Sequence, residues 1–116
     1  MGFEFTLELA RRFMEFRRDW RSHAELIREL AFELFGENLV GVYVFGSTIR
    51  GDHGALSDID VAVVLKEVVD EESRARLMSL VRRRLGAPHP FELHVITERE
   101  WVDWYSRFVK GEFVEV

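Results

Sequence analysis

Three short apolar runs and four stretches of helical period order this chain. Val42 to Phe45 is β-branched and aromatic, Val61 to Leu65 is apolar without a break, and Phe91, Leu93 and Val95 alternate with Glu92 and His94. These patterns predict three strands. Residues 6–20 place Leu9, Ala10, Phe13, Phe16 and Trp20 at helical spacing, which predicts a first helix. Ser22-His23-Ala24-Glu25 matches a capping box, opening a second helix that presents Leu26, Ile27, Leu30, Ala31 and Leu34 until Gly36 stops it. Asp70 reads as the cap of a third helix running to Leu85, with acids in its first turn, Arg82 to Arg84 in its last, and Gly86 beyond. Thr97 and Glu100 form a second capping box, and Trp101, Trp104, Tyr105 and Phe108 then recur at the spacing of one helix face. The order is helix, helix, strand, strand, helix, strand, helix. It predicts one α/β domain over residues 1–116, with N-terminal helices in 1–36 and the core in 37–116.

Composition narrows the function classes. A chain of 116 residues can bury one core. With 47% hydrophobic and 32% charged residues it has a globular rather than a disordered balance. The net charge is −5, so nothing supports a dedicated nucleic-acid binder, which would show a basic face. The absence of cysteine excludes a disulfide framework and a thiolate metal site. No apolar run is long enough to span a bilayer, and Met1 to Ala10 lacks the order of a signal peptide. A cytoplasmic protein without membrane association is expected.

The chemistry concentrates between Gly41 and Leu65, GVYVFGSTIRGDHGALSDIDVAVVL. The first strand run stops at Gly46-Ser47, a small pair that lets a backbone approach something closely. Asp58-Ile59-Asp60 follows, at the head of the second run. Carboxylates at i and i+2 of a strand project to one side, and their mutual repulsion calls for a raised pKa or a cation.

These residues resemble the signature of the DNA polymerase beta nucleotidyltransferase superfamily, and in particular its minimal nucleotidyltransferases. Gly46, Ser47, Arg50, Gly51, Ser57, Asp58, Ile59 and Asp60 fall where that family carries GS-x-x-RG…SDID. The resemblance implies a small mixed sheet with helices packed on one side. It implies Mg²⁺ chemistry with two ions, in which Asp58, Asp60 and a third carboxylate act as catalytic metal ligands. Glu92 is the position that fits the third, where the family usually has aspartate. Gly46, Ser47, Arg50 and Ser57 would bind the nucleoside triphosphate, with ATP as donor and a hydroxyl as acceptor. His94 shares the face of Glu92 and could hold a proton near neutral pH.

Minimal members of the family often work beside a HEPN-type helical protein, acting as an antitoxin that modifies it with AMP. Such a partner, or a homo-oligomer, is therefore expected. The competing reading is a nucleotidyltransferase-like binding module that regulates a partner by contact, motivated by the Glu92 departure. A third is an enzyme that modifies a small molecule such as an aminoglycoside. The aromatic positions from Trp101 to Phe108 are read mainly as core.

Overall fold

A computed structural model of the chain describes residues 2–105, 107 and 112–116, apart from the side chain of Trp104. Helices α1 (Phe3–Arg18) and α2 (Trp20–Phe35) come first, followed by strand β1 (Leu39–Phe45). A single turn, α3 (Ser47–Arg50), and a loop lead to β2 (Ile59–Leu65). Helix α4 (Glu71–Leu85) crosses over to β3 (Phe91–Thr97). A turn, α5 (Glu98–Glu100), continues as a π-helical stretch over Trp101–Tyr105, and the last strand is β4 (Phe113–Glu115).

The four strands form one mixed sheet in the order β3-β2-β1-β4. β1 is antiparallel to β2 and to β4, whereas β2 and β3 run parallel, as a helical crossover such as α4 permits. The three long helices all pack on one face. There Val42, Val44, Val61 and Val63 meet Ile27, Ala31, Leu77 and Val81, all fully or almost fully buried. The opposite face carries Phe45, Ala62, Val64 and Ile96 under Trp101, with Tyr43, Tyr105 and Phe113 beside them. β2 is thus covered on both faces, which explains why its sequence is an unbroken apolar run rather than an alternation.

Local signals act where the pattern places them in α4 and α5. The Asp70 carboxylate accepts from the Ser73 amide at 2.8 Å, and Gly86 ends that helix at φ 83°. Both halves of the Thr97–Glu100 capping box are formed. Gly36, at φ 54°, ends α2.

Three expectations need correction. The first helix does not reach Trp20. The chain breaks at Asp19, and Trp20 opens α2 and packs against the core. The Ser22–Glu25 capping box is therefore absent: Ser22 lies inside the first turn, where its hydroxyl donates to the Asp19 carbonyl at 3.0 Å. The apolar spacing of Trp20, Ala24, Ile27 and Ala31 carries the helix one turn upstream of the capping motif, so packing overrides the local signal. In the C-terminal stretch, a π-helical turn replaces the expected α-helical stripe. It brings Trp101 and Tyr105 to one side, with ring centroids 6.3 Å apart. The expected Phe108 position lies outside the described residues, as does the Trp104 side chain. β4 is an element the periodicity did not predict, being only three residues long.

Candidate functional site

Strand register assembles the site. Asp60 is opposite Phe45 across the β1–β2 pair and opposite Glu92 across the β2–β3 pair, and His94 follows two residues along β3. The period of two puts Asp60, Glu92 and His94 on the face away from the long helices. Among the described residues, each offers one ligand atom within 4.8 Å of the other two. His94 Nε2 lies 3.2 Å from Asp60 Oδ1 and 4.0 Å from Glu92 Oε1. The other ring nitrogen, Nδ1, is 3.4 Å from the Tyr105 hydroxyl.

Gly46 makes this convergence possible. Its backbone (φ 88°, ψ −158°) lies in a region that residues with a side chain rarely enter. A methyl there would come closer than 3.0 Å to Asp60 Oδ2. The end of β1 and the Asp60 carboxylate therefore share a space that only glycine leaves open. Ser47 follows, half-buried, at the start of α3, while the Ile49 and Arg50 amides are turned back onto the Gly46 carbonyl.

Electrostatics follow from the crowding of acids. Burial pushes the Glu92 carboxyl above its ordinary range; Asp60 and Asp58 push the same way, Asp58 also through a hydrogen bond, and His94 opposes them. The hydrogen bond with Asp60 raises the His94 pKa above 6.5 against the effect of burial, and the charges of Asp60 and Glu92 add to it. Burial also raises Tyr105, helped by Glu100, Glu92 and Asp60. The acidic corner thus favours the protonated form of His94 over the neutral one.

The positions singled out in the sequence do not all meet at one point. Asp60 and Glu92 converge with His94. Asp58 stands one residue before β2, exposed, and reaches the group through Glu92. Arg50 is exposed and pairs with Asp52 at 3.2 Å. The Ser57 hydroxyl accepts from the Gly54 amide at 2.8 Å, bracing the loop before Asp58 rather than facing outward alone.

Two contributors were missed. Arg17, buried on α1, donates from Nη2 to the Ser57 carbonyl and so ties the first helix to the peptide that precedes Asp58. Burial lowers its pKa. An arginine on the same arc as Phe13 and Phe16 was the available signal. Tyr105 was grouped with the core aromatics, but its hydroxyl meets His94; no local pattern marks that contact.

The donor set suits a hard divalent cation. The ligand atoms that converge are carboxylate oxygens of Asp60 and Glu92 and a ring nitrogen of His94; the carboxylates are what such ions prefer, Asp58 stands outside this group, and only glycine at position 46 leaves space for the Asp60 carboxylate.

Comparison with known proteins gives this arrangement a context. Residues 24–113 match the family model described as nucleotidyltransferase domain. A spectinomycin 9-adenylyltransferase of Staphylococcus aureus is 32% identical over 96 residues, covering 70% of this chain and 37% of that protein. The chain therefore spans little more than a third of the length of the curated relatives it matches. Among solved structures, a Sulfolobus solfataricus protein assigned as a nucleotidyltransferase superposes with TM-score 0.60 at 26% identity, covering 90% of this chain and 85% of the other. The fold is also shared with the tri-AMPylated Shewanella oneidensis HEPN toxin–MNT antitoxin complex. That likeness has TM-score 0.56 at 20% identity and covers 82% of this chain and 69% of the other.

Proposed function

Because the chain belongs to the nucleotidyltransferase domain family, we propose that it transfers AMP from ATP to an acceptor hydroxyl and releases pyrophosphate. The carrying observation is the meeting of Asp60 and Glu92 from adjacent strands beside the Gly46 backbone. In the reaction the acceptor oxygen bonds to the α-phosphorus, the bond from that phosphorus to the oxygen bridging to the β-phosphate breaks, pyrophosphate leaves with that oxygen, and the acceptor's proton is lost to solvent. Asp58, Asp60 and Glu92 are the residues proposed to hold Mg²⁺. The cation would supply charge neutralisation for the triphosphate and a lowered pKa for the acceptor. Gly46 leaves room at the strand end, and Ser47 can offer its hydroxyl to a phosphate. Arg50 is free to exchange its exposed partner Asp52 for the triphosphate, since a surface ion pair of this kind is worth little. His94, braced by Tyr105, can hold a proton near neutral pH.

The adenylyl donor is supported by the relatives named adenylyltransferases. For the acceptor we favour a protein, on the fold likeness to an MNT antitoxin crystallised with an AMPylated toxin. One observation favours the second reading, a binding module that regulates by contact. Glu92 is half-exposed and is already engaged by Asp58 and by His94 at 4.0 Å.

The deciding experiment titrates ATP into the purified chain with Mg²⁺, beside an Asp58→Ala, Asp60→Ala variant, and then follows label from α-labelled ATP onto a HEPN-type protein or spectinomycin. Metal-dependent binding that disappears in the variant, with label transfer, supports the enzyme. Absence of binding with and without a protein partner overturns it.

A further inference from the structure

The first two turns of α1 lie outside the core. Phe3 and Leu7 are 77% and 49% exposed, and every residue from Phe3 to Glu8 is exposed; the helix reaches the core only through Phe13, Phe16 and Arg17. A helix of 16 residues is near the length at which isolated helices are marginal in water, so projecting apolar turns are stabilised when something covers them. α1 also precedes residues 24–113, the part matched by the family model.

Phe3, Leu7, Ala10 and Met14 recur at spacings of four, three and four, which is the seam of a two-helix coiled coil. Met14, itself 53% exposed, opens onto a groove of about 580 Å³ between α1 and the loop after α3, lined also by Arg17, Arg18 and His53. We propose that this seam pairs with the same seam of a second copy, antiparallel about a two-fold axis. Leu7 then packs against Ala10 of the second copy, and each Phe3 enters the other's groove beside Met14.

Charge selects the occupant and the direction. Glu4 and Glu8 occupy the first half of α1 and Arg11, Arg12, Arg17 and Arg18 the second, with Glu15 as the exception. An antiparallel pair sets opposite charges against each other, whereas a parallel pair sets like against like. Glu4 and Arg11 lie on one flank of the seam, one heptad apart, where the same flank of an antiparallel partner faces them. Among the described residues neither makes an ion pair within the chain. A two-fold pairing satisfies both charges twice and closes on itself.

Light scattering and sedimentation equilibrium on the full chain at about 100 μM test this, a concentration at which even micromolar association is complete. The expected mass is twice the 13.7 kDa of one chain. Leu7→Glu should give single chains that still melt cooperatively. Glu4→Arg and Arg11→Glu should each weaken association, about tenfold for two exposed ion pairs, and the double reversal should restore it. A wild type of single-chain mass overturns the proposal, including one that binds anionic vesicles or a HEPN-type protein through this face. So does a Leu7→Glu variant that stays paired, or a double reversal without recovery. The readout is mass, so its failure is distinct from failure of the proposed activity.

Discussion

Replacing Gly46 by alanine tests the geometry at its tightest point. Two costs are built into the substitution. The backbone at φ 88°, ψ −158° lies where a residue with a β-carbon is strained by about 1–3 kcal/mol. The new methyl would also come within 3.0 Å of Asp60 Oδ2, with Asp60 Cγ at 3.3 Å behind it. The carboxylate must withdraw by about 1 Å, a displacement that can cost an active site about 100-fold in rate. For a chain of 116 residues each kcal/mol lowers the melting temperature by roughly 4 °C. Thermal melting should therefore fall by several degrees, and Mn²⁺ binding and label transfer from ATP should fall together. Gly51→Ala is the control, because Gly51 has φ 86° but a β-carbon added there would meet nothing within 4 Å. It carries strain without the clash, so its melting should fall while Mn²⁺ binding persists. A Gly46→Ala chain that binds Mn²⁺ as tightly as the wild type would refute the reasoning, whatever its stability.

Three further outcomes follow from packing and charge. Ile27 is fully buried against the sheet, so Ile27→Ala should cost about 2–5 kcal/mol, measured by urea denaturation. Burial and then the nearby Arg82 and Arg12 lower the His89 pKa below 6.5. The folded state disfavours charged His89, so this stabilisation is present above pH 6.5 and is lost as pH falls through the lowered folded value; His89→Gln should flatten that acid limb of the melting profile. His94 has the opposite sign. Its raised pKa gives a contribution that is complete below pH 6.5 and is lost as pH rises through the folded value. Asp60→Asn removes the principal cause, so a proton-NMR titration should find the His94 pKa lowered, and an unchanged value would discredit the pairing.

The chain alone determined the helices and strands whose causes are local. Asp70, Gly36, Gly86 and the Thr97–Glu100 box act on neighbouring backbone groups, so their consequences are legible within a few residues. The stretch from Gly46 to Asp60 was likewise readable as candidate chemistry, because small residues and paired acids at a strand head are an unusual local combination. Tertiary structure decided the rest. The parallel register that sets Glu92 beside Asp60 depends on how far α4 carries the chain across the sheet. The start of α2 at Trp20 depends on what that ring packs against. β4 exists because β1 offers it an edge, three residues having too little periodicity to announce themselves. Arg17 on Ser57 and Tyr105 on His94 join residues 40 and 11 positions apart. Periodicity records which face a residue prefers; only the closed fold determines which residue it meets there.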